Sequence, residues 1–232
     1  MEQTQAKNIY NLLIIDESGS MSSIYNQALS GINETLGTIR SAQEKDPVNR
    51  YYVSVVSFEG NGPTGIKLRR DRVAIDEVSN LGRDEYRPGG CTPLYDAIGI
   101  SVNQLSKSIE EGASVIVTII TDGYENSSVE YGGRSVRKLI SRQREKGWTF
   151  AYIGANQDAV EVARDLNIAN AMNFDATPEG TVTMSLKYRK SLGRVMCYMA
   201  EASAPVEDVE DFFEGGDDEI AKELTKKILR KR

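Results

Sequence analysis

Asp16, Ser18 and Ser20 stand at alternate positions in "LLIIDESGSM", Thr92 follows a glycine pair in "RPGGCTPLYDAI", and Asp122 opens the "DG" of "IITDGYENSS". All five side chains offer oxygen and nothing softer. Hard oxygen donors select hard cations: Mg²⁺, Mn²⁺ or Ca²⁺. Neutral hydroxyls do little to cancel a double positive charge. Carboxylates that act partly through water would leave the ion electrophilic. An octahedral Mg²⁺ with few protein ligands keeps waters that an outside anionic oxygen can replace, most simply an Asp or Glu carboxylate.

Other chemistries fit poorly. The chain has no His, which removes the commonest general base and the commonest zinc ligand together. A serine nucleophile would need another base, and nothing places a lysine nearby. Ser18 occupies the position where a haloacid-dehalogenase-type phosphatase needs its second Asp. "GANQDA" lacks the spacing of a dinucleotide loop, and there is no GxxxxGK[ST] phosphate loop.

Elements must bring these positions together. "IYNLLII" (9–15) is a short, nearly continuous apolar run, as a strand buried on both faces requires. Ile24, Ala28, Leu29, Ile32, Leu36 and Ile39 then recur at helical spacing. "YYVSVVSFE" (51–59) reads as a second strand, and the charged "IKLRRDRVAI" as an edge strand. Further strands are predicted at 114–123, 148–156 and 171–175. Helices are predicted from Pro93 to about Ile109, over 136–144, 157–166 and 180–200. Strands alternating with helices predict an α/β fold: a doubly wound, mostly parallel sheet with one antiparallel edge strand and helices on both faces. In such sheets the binding crevice lies at the C-terminal ends of the strands. Asp16 and Asp122 both follow apolar strands directly, so the topology places them at one edge.

Asp16-x-Ser18-x-Ser20, Thr92 in a glycine-led loop and Asp122 in "TDG" resemble the von Willebrand factor type A domain and its metal-ion-dependent adhesion site. The order of strands and helices matches over roughly 8–200, and the two longer motifs look most like bacterial and phage intracellular members. The resemblance implies a Rossmann-like domain with a divalent ion on its upper edge. Ser18, Ser20 and Thr92 would touch the metal, Asp16 and Asp122 would act mainly through water or hydrogen bonds, and a partner carboxylate would complete the shell. Some integrin subunits carry a second, acidic metal site just after this loop. Met21, Ser22 and Ser23 stand there instead, so one metal is expected.

The remaining expectations are these. Residues 1–200 form the domain and 201–232 an acidic, then basic tail. The tail is either solvated, or docks on a partner or back on its own domain, with Ile220, Leu224 and Ile228 at helical spacing. The net charge of −6 argues against nucleic-acid or anionic-membrane partners. No apolar run is long enough for a membrane span and the start has no signal layout, which predicts a cytoplasmic protein. Cys91 and Cys197 read as reduced and buried. Glu17, Tyr124, Glu125 and Asn126 are candidates for the rim of the binding face. The functional expectation is a non-enzymatic module whose Mg²⁺ (or Mn²⁺ or Ca²⁺) coordinates an acidic residue of a partner protein. By family analogy, that partner is an AAA+ ATPase or another component of a multi-protein system. The alternative is a Mg²⁺-dependent hydrolase or phosphatase at the same ion.

Overall fold

A computed structural model of the chain describes residues 6–155, 159–202, 209 and 211–213. Among the described residues, six strands form one sheet: β1 (Asn8–Asp16), β2 (Arg50–Phe58), β3 (Ile66–Ala74), β4 (Ser114–Thr121), β5 (Thr149–Ala155) and β6 (Asn170–Phe174). The helices are α1 (Tyr25–Lys45), α2 (Leu94–Ser108), α3 (Gly133–Arg144), α4 (Ala159–Asp165) and α5 (Pro178–Glu201). The strand order is β3-β2-β1-β4-β5-β6. Only β3 runs antiparallel, against β2. This is the doubly wound architecture with one antiparallel edge that the alternating elements predict.

β1 sits in the middle, paired in parallel with both β2 and β4, and this explains its unbroken apolar run. Ile9, Leu13 and Ile15 face the core shared with α1 and α5. Tyr10, Leu12 and Ile14 face the opposite core, with Val102 and Leu105 of α2 and Leu139 and Ile140 of α3. Burial on both faces thus selects large apolar residues at consecutive positions. Asn11 breaks the pattern: it is buried on the α1–α5 face, and neither side-chain oxygen nor nitrogen has a hydrogen-bond partner.

β3 carries two register irregularities against β2. At the first, Arg72 adopts φ 48° and its backbone N–H donates to Ser54 Oγ at 2.9 Å. At the second, Arg69 has no partner in the register between Arg70 and Leu68. Bulges of this kind turn a strand locally and re-aim a side chain. The charges along β3 blunt an edge that would otherwise invite further pairing.

One expectation is corrected. Cys91 and Cys197 are free thiols, as read, but both are exposed rather than buried. Cys91 lies in a loop beside Thr92, and it is Thr92 that is buried while Cys91 faces solvent. Cys197 falls on the outer side of α5, between the buried Met196 and Met199 faces. Of the open readings of the tail, docking back on the domain holds for the described residues around Phe212, which is fully buried in the α1–α5 core. The helical spacing of Ile220, Leu224 and Ile228 lies outside the described residues. Among the described residues no helix is long and apolar enough to cross a membrane.

Candidate metal centre

Three loops meet at the C-terminal edge of the sheet. The first leaves β1 at Asp16. Ser18 then precedes a 3₁₀ turn, Gly19–Ile24, whose Met21 and Ile24 plug into the core. This turn reverses the chain within a few residues and turns Ser18 and Ser20 to one side. Their hydroxyl oxygens are 3.1 Å apart. The second loop comes from the crossing that ends at α2 and carries Thr92. The third is Asp122–Gly123, directly after β4.

The carboxylates and hydroxyls interlock. Asp16 Oδ1 accepts the Ser18 backbone N–H at 2.7 Å, and Asp16 Oδ2 accepts the Thr121 hydroxyl at 2.6 Å. Ser20 Oγ donates to Asp122 Oδ1 at 2.5 Å, joining residues 102 positions apart in sequence. A Cβ on Gly123 would stand 3.3 Å from Thr92 Oγ1 and 3.9 Å from Asp16 Oδ2. Thr92 therefore closes the same cluster. All five residues read from the sequence converge. Asp16, Ser18, Thr92 and Asp122 are buried, while Ser20 lies at the solvent mouth.

Main-chain bonds lock the loops to each other. Gly19 N–H donates to Gly90 carbonyl at 3.2 Å, Gly89 N–H to Glu17 carbonyl at 2.8 Å, and Gly60 N–H to Cys91 carbonyl at 3.0 Å. Gly90 has φ 66°, and a Cβ there would lie 2.5 Å from the Glu59 carboxylate and 2.7 Å from Gly60 N. Both conformation and space demand glycine at this position. Tyr86, fully buried, donates its hydroxyl to the Asp16 carbonyl at 2.8 Å.

Burial pushes the Asp16 carboxyl up to about 6, against hydrogen bonds from Thr121 and Ser18 that favour its charged form; the neighbouring Asp122 charge pushes the same way as burial. Burial raises the Asp122 carboxyl too. Two carboxylates are thus held close together in a desolvated place, where a cation would relieve both. Among the described residues no group of three or more His, Cys, Asp or Glu is placed to hold a metal. An ion at this edge must then draw on hydroxyl oxygens, and the donor set is all-oxygen, as Mg²⁺, Mn²⁺ and Ca²⁺ require. The residues present fit such an ion.

The supporting residues differ from the rim expected from sequence. Glu17 does not rim the site. Its carboxylate is fully buried, takes the Arg69 guanidinium on both oxygens (3.2 and 2.9 Å) and the Ser57 hydroxyl at 2.7 Å, and also accepts the Arg87 N–H. Burial works to raise this carboxyl, but the Arg87 N–H, Ser57 and Arg69 hold it below the usual range. Arg69 is the bulge residue of β3, so the edge strand anchors the loop after β1 from behind. Glu125 caps the start of α2 through Tyr95 N–H (2.8 Å) and ties Ser127 and Ser128. Asn126 clamps Thr92 in both directions: its Oδ1 accepts Thr92 N–H at 2.8 Å, and its N–H donates to the Thr92 carbonyl at 3.2 Å. Of the four, Tyr124 and Asn126 are exposed, and Glu17 and Glu125 are not. Sequence reading missed Asp96, whose buried carboxylate receives the N–H groups of Val129, Glu130 and Tyr131 at 2.7–2.9 Å. A carboxylate facing inward on an amphipathic helix was the available signal.

A family model described as the von Willebrand factor type A domain matches residues 12–185. The chain belongs to that family. The chain is 23% identical over 203 residues to an uncharacterised protein, YfbK, of Escherichia coli (strain K12), a match that covers 84% of this chain. The chain spans about a third of the length of that relative (32%). Solved structures share the type A fold at lower identity. The pilus adhesin SpaC from Lactobacillus rhamnosus GG superposes with TM-score 0.62 and 12% identity, over 84% of this chain and 32% of that one. A von Willebrand factor type A protein from Catenulispora acidiphila gives 0.56 and 16%, over 82% and 43%. Proximal thread matrix protein 1 of the mussel byssus, in a form described as having a zinc-occupied MIDAS motif, gives 0.55 and 15%, over 81% and 46%.

Proposed function

We propose that this type A domain is a divalent-metal-dependent protein-binding module. Ser18, Ser20 and Thr92 would hold the ion directly, and Asp16 and Asp122 would support it through water or hydrogen bonds. When bound, the ion supplies an electrophilic position that an Asp or Glu carboxylate of a partner protein can fill. The observation that carries this reading is the convergence of Asp16, Ser18, Ser20 and Asp122 through 2.5–3.1 Å contacts, with Thr92 beside them. The zinc-occupied MIDAS motif named for the mussel protein adds support from the same fold. Mg²⁺ is the ion proposed, with Mn²⁺ or Ca²⁺ able to replace it. The partner proposed is an AAA+ ATPase or another component of a multi-protein system in the cytoplasm.

The test is partner capture from native extract with Mg²⁺ present, using wild type, Asp16→Ala and Thr92→Ala in parallel. Partners should be lost with either substitution and with excess EDTA. Capture that persists unchanged in chelator would sink the proposal. Metal-dependent turnover of a phosphate ester, abolished by Asp16→Ala, would favour a hydrolase instead.

A further inference from the structure

At the opposite edge of the sheet, where β5 and β6 begin, Val209, Asp211, Phe212 and Phe213 lie against the domain like a bound peptide. Two strand-start side chains and one helix side chain read its main chain. Thr149 Oγ1, at the first residue of β5, accepts the Val209 N–H at 3.2 Å. Asn170, the first residue of β6, accepts the Phe212 N–H at 3.0 Å on Oδ1 and donates Nδ2 to the Val209 carbonyl. Arg194 of α5 donates to the carbonyls of Asp211 (2.7 Å) and Phe212 (2.9 Å). One side chain serves as the anchor: Phe212 is fully buried and stacks on Tyr188 of α5 with centroids 6.1 Å apart. Phe213 packs edge-on against Phe212 at 4.9 Å, and Val209 is half-buried.

We propose that this junction is an exchangeable peptide-docking groove. It takes short acidic segments of the pattern Val-x-x-Phe-Phe, and the chain's own residues 209–213 fill it in cis. Side-chain groups that bind main-chain N–H and C=O, plus one aromatic anchor in a pocket, are how proteins recognise extended peptides. In sequence the anchor is flanked by acidic residues, Glu207, Asp208, Glu210, Asp211 and Glu214, and α5 is basic at Lys187, Lys190 and Arg194. Only six residues, 203–208, separate Ala202 from Val209. So short a tether gives an effective concentration on the order of mM. A modest intrinsic affinity therefore suffices to keep the groove filled. A partner with the same acidic-aromatic chemistry, presented at comparable concentration, displaces the resident segment. The groove is independent of the metal edge.

The test titrates a fluorescent peptide spanning residues 205–214 into the full chain and into its Phe212→Ala variant. The vacated groove of the variant should bind the peptide roughly tenfold or more tighter than wild type does. A peptide with Ala at the Phe212 position should bind neither. Equal binding to both chains, or no binding to a variant whose circular dichroism shows it folded, overturns the proposal. Should Phe212→Ala fail to fold, amide exchange of the wild type decides. The Val209 and Phe212 amides should be protected, yet exchange by a local opening at least about tenfold faster than the amides of β4. No protection, or protection equal to that of β4, overturns the proposal. So does a wild-type dimer that Phe212→Ala dissociates, since the segment would then belong to a second copy.

Discussion

Asp16 is under two opposed demands: the sheet buries it, and the metal reading needs it charged. Burial pushes its carboxyl up to about 6, against 3.8 unperturbed. In metal-free solution the fold therefore favours the protonated acid. That contribution is fully present below pH 3.8 and is lost as pH rises through about 6. Metal-free thermal unfolding should accordingly show stability declining over this window. Asp16→Asn should raise metal-free stability at pH 7.5 by on the order of 2 kcal/mol. Thr121 can turn its hydroxyl to the Gly123 carbonyl, 3.0 Å away, so the amide is accommodated. The same variant should lose the rise in melting temperature that Mg²⁺ gives wild type. A variant that is still stabilised by Mg²⁺ would remove Asp16 from the site. Asn11 tests the core in the same way. It lies in register with Val53 and Ile116, and its amide is unpartnered. Asn11→Leu should stabilise the chain by about 1–3 kcal/mol in urea unfolding, because a buried polar group without a partner costs that much.

At the level of elements, the site depends on neighbours that no motif marks. Glu17 lies inside the motif, yet its side chain serves β3 by closing on Arg69. Glu17→Ala would leave Arg69 Nη2 and the Arg87 N–H without their acceptor, and should cost about 3 kcal/mol in denaturant unfolding. Gly99 of α2 shows packing overruling propensity. A Cβ there would lie 2.3–2.6 Å from the ring of Tyr131. Gly99→Ala, helpful in an isolated helix, should therefore destabilise the domain by about 1–3 kcal/mol. A melting temperature at or above wild type would mean that the Tyr131 ring moves aside freely. Tyr131 belongs to the segment that Asp96 binds through main-chain N–H groups, so α2 and the loop after β4 form one unit behind Thr92.

The whole molecule places the two proposed recognition surfaces on opposite edges of one sheet: the oxygen cluster where β1 and β4 end, and the aromatic junction where β5 and β6 begin. Ending the chain after Ala202 would strip the cover from Tyr188 and should lower stability by about 2–4 kcal/mol in urea unfolding. An unchanged transition would mean that Phe212 adds nothing to the core. The sequence by itself determined the α/β class, the strand and helix order and the five-residue cluster. Apolar runs, helical periodicity and strand-end loops are local signals, and the topology of parallel sheets converts them into position. It did not determine that Glu17 faces Arg69, that Cys91 and Cys197 face solvent, that Asp96 holds a distant loop, or that Phe212 fills the core. Each of those depends on which distant segment supplies a hydrogen-bond partner or a cavity. Spacing along a chain carries no information about that until the layers are packed.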